Sequence, residues 1–128
     1  MADPLEAKCD KLAWLCGWRP VYVKHECGEG GEFCWERGAG SVRLPPGQHP
    51  FPVDDLSAIQ AEWPIDWCFT ITDRKIKYAY EEGFKDGKRV EWWPVGRKFE
   101  AQATSELTEF EARLCALIKI KECQGEKA

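Results

Sequence analysis

The segment between Asp66 and Glu122 constrains the fold most, because its apolar residues first alternate with polar ones and then take helical spacing. Alternation with a period of two is typical of strands that bury one face. Three runs and a candidate fourth show this pattern: residues 67–72, 75–82, 97–104 and 89–93. The pattern predicts an antiparallel sheet with one face on the core and one polar face.

Two details of this predicted sheet follow from local residue preferences. Asp86 and Gly87 form a favoured pair for a two-residue hairpin turn, so we predict that they join 75–82 to 89–93. Alternation predicts that Phe99 points into the core, as do Tyr78 and Tyr80. A helix over residues 108–122 follows the strands, and Thr108 and Glu111 have the spacing of a capping box at its start.

The first half of the chain predicts two helices and a hairpin. Residues 5–18 have helical spacing of apolar residues, and Pro20 prevents continuation. A β-prone run from Val21 and a second run over 32–36 flank a glycine-rich segment, in which we predict Gly30-Gly31 as the turn. Asp54 or Asp55 is expected to cap a short helix that Pro64 ends.

These elements predict the fold class and the domain organisation. The order is α-β-β-α-β-β-β-α, which indicates an α+β sandwich, mainly an antiparallel sheet with helices packed against it. A chain of 128 residues with 44% hydrophobic residues is long enough to bury its own core. We therefore predict a single domain over residues 1–128, with its core over about 5–122.

Charge and cysteine content limit the partners and the compartment. The chain has 18 basic and 22 acidic residues, so no basic stripe favours an extended nucleic acid. No segment has the ~18 consecutive apolar residues that span a membrane. Seven irregularly spaced cysteines without a recognisable signal peptide predict reduced thiols in a cytoplasmic protein.

Four short motifs, in this order, resemble those of a known family. They are Trp18-Arg19 after Gly17, Trp35 before a glycine- and proline-rich loop, Phe51-Pro52-Val53-Asp54-Asp55-Leu56, and Ala103-Thr104 followed through Thr108 by Glu111-Ala112-Arg113-Leu114-Cys115-Ala116-Leu117. On these motifs, over about residues 10–122, the chain resembles the phage ABA-sandwich domain family. It departs from the family where Ser105-Glu106-Leu107 replaces a short proline-containing turn.

This resemblance implies a phage or prophage origin, and therefore the cytoplasm of a bacterial host. It also implies a sheet with helices packed against it. The family is largely uncharacterised and lends no catalytic residues. The residues His25, Cys27 and Cys34 have no counterpart in it.

His25, Cys27 and Cys34 are the strongest candidates for a metal site. If Gly30-Gly31 is the turn, Cys27 faces Cys34 across the hairpin and His25 lies on the same side. An imidazole and two thiols suit zinc, with Cys9 or Cys16 as a fourth ligand. The spacing lacks the usual C-x₂-C knuckle, and the alternative is a pair of small apolar thiols packed across a hairpin. We predict no cofactor, with zinc as the alternative.

The chain offers little for catalysis. A cysteine-dependent hydrolase would need a pair such as Cys34 with His25 or His49, and seven cysteines offer such pairs by chance. No phosphate-binding loop or other motif with catalytic mechanics is present. We therefore predict a non-enzymatic protein without catalytic residues, and keep the hydrolase as an alternative.

Trp92 and Trp93 predict a binding surface, because neighbours in a strand face opposite sides and one ring should lie away from the core. Exposed tryptophans are enriched where proteins bind partners. We predict a contact surface for a host or phage protein, in counter-defence for example; its residues are Trp92, Trp93, Lys88, Arg89 and Arg97. The alternatives are a nucleotide, stacked on the same aromatic rings, and a zinc-stabilised interaction module.

Overall fold

Helices and antiparallel strands follow one another along the chain, as the sequence predicts. The computed structural model describes residues 4–26, 28–38, 40–77 and 83–126. Within them the elements are α1 (Pro4–Leu15), β1 (Trp18–Lys24), β2 (Gly31–Arg37), β3 (Val42–Arg43), α2 (Leu56–Glu62), β4 (Trp67–Ile76), β5 (Lys85–Pro94), β6 (Gln102–Glu106) and α3 (Glu109–Glu126). The α+β class is confirmed, and the predicted order matches roughly. Strand β3 is additional, and β4 runs through residues 73–76, so the predicted break between strands 67–72 and 75–82 is absent; residues 78–82 lie outside the described ranges. The candidate strand 89–93 lies within β5.

The chain divides into two units, Met1–Val53 and Asp54–Ala128. The prediction of a single domain over 1–128 stays a prediction. In the first unit, β1, β2 and β3 form an antiparallel sheet in that order, and α1 packs against β1. Helix α1 ends at Leu15, and Gly17 takes a φ of 92° that residues with side chains rarely adopt.

The hairpin of the first unit has a longer turn than predicted. Strand β1 ends at Lys24, which pairs with Gly31, and the amide of His25 donates to the Gly30 carbonyl at 3.1 Å. Gly31 therefore already belongs to β2, and the predicted two-residue turn at Gly30-Gly31 is wrong. Gly28 and Gly30 supply the positive φ angles of 84° and 67° that this wider turn requires.

In the second unit, β4, β5 and β6 form another antiparallel sheet, and α3 packs against β5 and β6. The core between them consists of Val90, Trp92, Ala112, Ala116 and Ile120, with Trp63, Trp67, Phe69 and Ile71 around it. The two alanines have small side chains, so helix α3 can approach the indole ring closely.

The Asp86-Gly87 turn is also wrong. Both residues lie inside β5, where Asp86 pairs with Lys75 and Gly87 pairs with Arg74. A Cβ atom at position 87 would collide with Ile76 Cδ1 and would lie 2.6 Å from the Glu106 carbonyl oxygen. Glycine is thus needed for close approach of neighbouring strands rather than for a turn. Tyr78 and Tyr80 lie outside the described residues.

The predicted strand 97–104 is displaced toward the C-terminus. The strand is β6, whose Gln102 pairs with Trp92, so residues 95–101 make the connection from β5. Residues Lys98–Glu100 form a short 3₁₀ helix there, and Phe99 is 83% exposed rather than in the core. Ser105 and Glu106 extend β6 instead of forming part of a loop.

Both predicted helix caps form. The amide of Glu111 donates to Thr108 Oγ1 at 3.1 Å, at the start of α3. Asp55 Oδ1 accepts from the amides of Ser57 and Ala58 at 3.1 and 3.3 Å, at the start of α2. Hydrogen bonds from the Ser57 hydroxyl and then the Ala58 amide lower the pKa of Asp55 below its ordinary value of 3.8.

We expect the Gly87→Ala substitution to lower the free energy of unfolding by about 1–3 kcal/mol, the usual range for overpacking. The Glu106 carbonyl belongs to the backbone of β6 and cannot rotate away from a new methyl group. Urea unfolding followed by circular dichroism measures the change. Ser105→Ala, on an exposed position of β6, is the matched control; equal midpoints for the two variants would contradict this account.

We expect Asp55→Ala to destabilise the protein at neutral pH and to have a smaller effect in acid. Because the pKa of Asp55 is lower in the folded state, the stabilisation is complete above about 3.8 and is lost as the pH falls through the folded-state pKa. Asp55→Asn keeps a capping oxygen and does not titrate, so it serves as the control. Urea midpoints between pH 7 and pH 3 test this; a constant difference between wild type and Asp55→Ala would be inconsistent with it.

Candidate functional site

The two predicted contact tryptophans lie on opposite faces of β5. Trp92 is 3% exposed and belongs to the core beneath α3, with Val90. Trp93 is half-buried, and the alternation of a strand puts it on the other side of the sheet. One ring thus lies away from the core, as predicted, but the buried Trp92 ring cannot contact a partner in this conformation.

Lys88 lies on the same side of β5 as Trp92 and is held by a cross-strand ion pair. Its Nζ donates to Asp73 Oδ1, and the two residues are directly opposite in the register of β4 and β5. This hydrogen bond, and then the charge of the same carboxylate, raise the pKa of Lys88 above its ordinary value. Two residues further along each strand, Lys75 forms a second ion pair with Asp86. The hydrogen bond from Lys75 lowers the pKa of the Asp86 carboxyl.

Among the described elements, α3 is the α-helix that contacts this sheet, and we call the opposite side the helix-free face. Register and alternation assign eleven side chains to it: Cys68, Thr70, Thr72, Arg74, Ile76, Lys85, Arg89, Glu91, Trp93, Ala103 and Ser105. None of them is buried. A shallow depression of about 390 Å³ lies on this face, lined by Thr70, Thr72, Asp73, Arg74, Arg89 and Glu91.

Lys98 is close to the indole of Trp93. Its Nζ lies 5.2 Å from the centre of the ring, within the range of a cation–π contact. Arg89 Nη2 lies 3.2 Å from Glu91 Oε1 on the same strand. Arg97 is in the loop after β5, with Nη2 3.6 Å from Glu100 Oε1. The structure therefore places Arg89 and Trp93 on one face of β5, and Lys88 and Trp92 on the other.

The structure describes two of the three predicted metal ligands, His25 and Cys34. Cys34 pairs with Val21 and is buried, and Cys27 lies outside the described residues. His25 Nε2 lies 3.7 Å from Glu32 Oε2. Within the described ranges, no group of three or more His, Cys, Asp or Glu side chains is placed to hold a metal ion. The zinc hypothesis, which includes Cys27, stays a prediction.

His25 and Cys34 do line one depression, of about 460 Å³, in the first unit. Its other lining residues are Val23, Lys24, Glu26, Glu32, Arg43, Leu44, Pro45 and Pro46. The apolar part of this lining includes the buried thiol, while the imidazole is exposed at the rim. An apolar floor with a mixed charged rim suits a small ligand better than a metal ion.

His49 has both ring nitrogens occupied. The amide of Phe51 donates to Nδ1 at 2.9 Å, so Nδ1 is unprotonated and Nε2 carries the hydrogen that Asp10 Oδ1 accepts at 2.7 Å. The ring also packs against Trp35, with ring centres 5.0 Å apart. No nitrogen is left to activate a thiol, so the geometry does not support a Cys34–His49 pair. His49 instead fastens the proline-rich loop to α1.

The sequence alone did not reveal this link or the ring contact of Tyr22 with Phe33. Asp10 and His49 are 39 positions apart, and no local pattern joins them. Tyr22 and Phe33 lie on neighbouring strands with ring centres 5.2 Å apart. Their contact follows from the register of β1 with β2. The predicted turn at Gly30-Gly31 gave a different register, in which these two residues are not opposite each other.

Comparisons of this chain with family models, with curated proteins and with solved structures found no match. The resemblance to the phage ABA-sandwich domain family stays a prediction. Of the helices in the described ranges, none combines the length and the hydrophobicity needed to cross a membrane.

We expect Asp10→Ala and His49→Ala to be non-additive in a double-mutant cycle. The hydrogen bond between them should give a coupling energy of about 0.5–1.5 kcal/mol, toward the lower end because Asp10 is more than half exposed. Thermal and urea unfolding of the four proteins measures it. Asp10→Ala combined with His25→Ala provides the control cycle. Strict additivity of the Asp10 and His49 substitutions would mean that the link contributes nothing to stability.

Proposed function

We propose that this chain is a non-enzymatic accessory protein of a phage or prophage that binds a host or phage protein in the bacterial cytoplasm. A role in counter-defence is the form of this proposal that the phage resemblance favours. The observation that carries the binding function is the helix-free face, a three-stranded sheet surface with a partly exposed tryptophan. Tryptophan and arginine are the residue types most enriched at energetic centres of protein interfaces.

The charge of this face favours an acidic partner. Its charged side chains are Arg74, Lys85, Arg89 and Glu91, and Lys98 lies above the Trp93 ring. The local excess is basic although the whole chain has a net charge of −4. Such a local difference in sign guides association with a partner of opposite charge and increases the association rate more than the affinity.

The shape of the face also supports a protein partner. Thr70, Thr72 and Ser105 have short hydroxyl side chains on the strands that flank β5. Large side chains therefore protrude from this part of the face at Trp93 and the arginines. A flat surface with one large ring suits an interface in which the ring enters a pocket of the partner.

We expect Trp93→Ala and Thr72→Arg to abolish capture of the partner from a bacterial host lysate. The first substitution removes the central ring, and the second places a long side chain on the exposed surface of β4. A loss of about 2 kcal/mol, typical of a hot spot, corresponds to ~30-fold weaker binding. Quantitative affinity capture with mass spectrometry measures the amount of partner recovered.

Ile65→Ala is the matched control, because Ile65 is 99% exposed and lies outside this face. Unfolding curves of each variant establish that the fold is intact. Undiminished capture by both Trp93→Ala and Thr72→Arg would exclude the helix-free face as the contact surface.

A nucleotide is the second candidate ligand. It is favoured by the depression lined by Arg74, Arg89 and two threonines, whose side chains would hold a phosphate. Trp93 lies on the same face outside that lining, where its ring would stack on a base. Isothermal titration with a panel of cyclic and linear nucleotides tests this. Saturable binding that Arg89→Ala removes would favour the nucleotide over the protein partner.

A further inference from the structure

Among the described residues, β1 is the first strand of the β1-β2-β3 sheet and pairs with β2 alone, so its outer edge is unpaired there. The bond from the His25 amide to the Gly30 carbonyl shows which backbone groups face that edge. In an antiparallel pair, residues alternate between bonding the partner strand and pointing away from it. His25 bonds on the side of β2, so the alternate residues before it, Lys24, Tyr22, Pro20 and Trp18, have backbone groups that point away from β2. These groups are their carbonyls and, except at Pro20, their amide N–H groups.

Two residues limit this outer edge at its N-terminal end. Pro20 has no amide hydrogen, so its position among the outward residues leaves the bonds to β2 intact. The Trp18 carbonyl accepts from Arg19 Nη1 at 2.7 Å. At Tyr22 and Lys24, no described residue outside the sheet makes a backbone hydrogen bond to the edge. A short stretch of edge, from Tyr22 to Lys24, is therefore open to another strand.

An exposed aromatic pair lies next to this open stretch. Tyr22 and Phe33 are 51% and 68% exposed, and their rings are in edge-to-face contact. Gly31 leaves room for the Tyr22 ring, since a Cβ at position 31 would lie 2.7 Å from Tyr22 Cζ. The ring thus lies over the backbone of β2 at this glycine. Val42, from β3, is 49% exposed and lies on the same side.

The charges of this side of the sheet are basic. Register and alternation assign nine residues to it: Trp18, Pro20, Tyr22, Lys24, Gly31, Phe33, Trp35, Arg37 and Val42. These include two basic residues and no acidic one. Glu32 and Glu36 belong to the opposite side. An apolar centre with basic residues at its ends is complementary to a segment that carries both apolar and acidic side chains.

We propose that the Tyr22–Lys24 edge binds an extended peptide segment of a partner protein by strand addition. The backbone groups of Tyr22 and Lys24 would pair with the peptide backbone. An apolar peptide side chain would pack on the Tyr22 and Phe33 rings, and an acidic one would lie near Lys24. In strand addition, backbone hydrogen bonds provide the affinity and alternate side chains of the peptide provide the specificity. The site is separate from the helix-free face and does not depend on it.

The test is selection of a randomised ten-residue peptide library, by mRNA display, on the full-length chain. We expect enriched peptides in which apolar residues alternate with Asp or Glu. Their affinity should fall at least tenfold for Lys24→Pro, which removes an outward amide, and for Phe33→Ala. Lys24→Gln removes only the charge and should weaken binding less. Phe84→Ala, an exposed phenylalanine elsewhere, should leave binding unchanged.

Methylation of the peptide backbone makes the test independent of the variants. In an enriched peptide, methyl groups on alternate amides of one register should abolish binding, and those on the other register should be tolerated. Absence of enriched peptides, or equal tolerance of both registers, would overturn the proposal. A dimer of the chain in sedimentation that Lys24→Pro dissociates would also overturn it, because a second copy would then occupy the edge.

Discussion

The packing of Trp92 beneath α3 is the constraint on which the second unit depends. The ring is 3% exposed among Val90, Ala112, Ala116 and Ile120, and replacing a buried tryptophan by alanine typically costs about 3–5 kcal/mol. Because side chains alternate along a strand, burying Trp92 on one side places Trp93 and Arg89 on the other. The same contact that stabilises the sheet therefore determines what its helix-free face presents.

In the first unit, a glycine and a side-chain hydrogen bond determine which surfaces are exposed. Gly31 leaves room for the Tyr22 ring, and the Asp10–His49 hydrogen bond holds the loop that follows β3. His49 is thereby a structural residue, although from sequence alone it remained a candidate partner of Cys34 in the alternative of a cysteine-dependent hydrolase. These local arrangements leave aromatic rings and a strand edge exposed, and such features are suited to binding.

Alternation and capping were predictable because they are local. Asp55 and Thr108 cap their helices, and Phe69, Ile71 and Thr70 face the sides that the period of two indicates. The Asp86-Gly87 turn was wrong because a favoured dipeptide carries no information about Ile76 and Glu106, whose approach requires glycine inside the strand. The division of the contact residues between two faces was foreseeable for the tryptophans. Lys88 lies on the same side of β5 as the buried Trp92. Alternation implies this position, whereas its charge alone suggested grouping it with Arg89 and Arg97.

Contact of a partner with the helix-free face through Trp93 is tested most directly by NMR. The indole N–H signals of Trp92 and Trp93 are followed as the captured partner is added. We expect the Trp93 signal to shift or broaden while the signal of Trp92, enclosed beneath α3, stays in place. An unchanged Trp93 signal at saturating partner would contradict it.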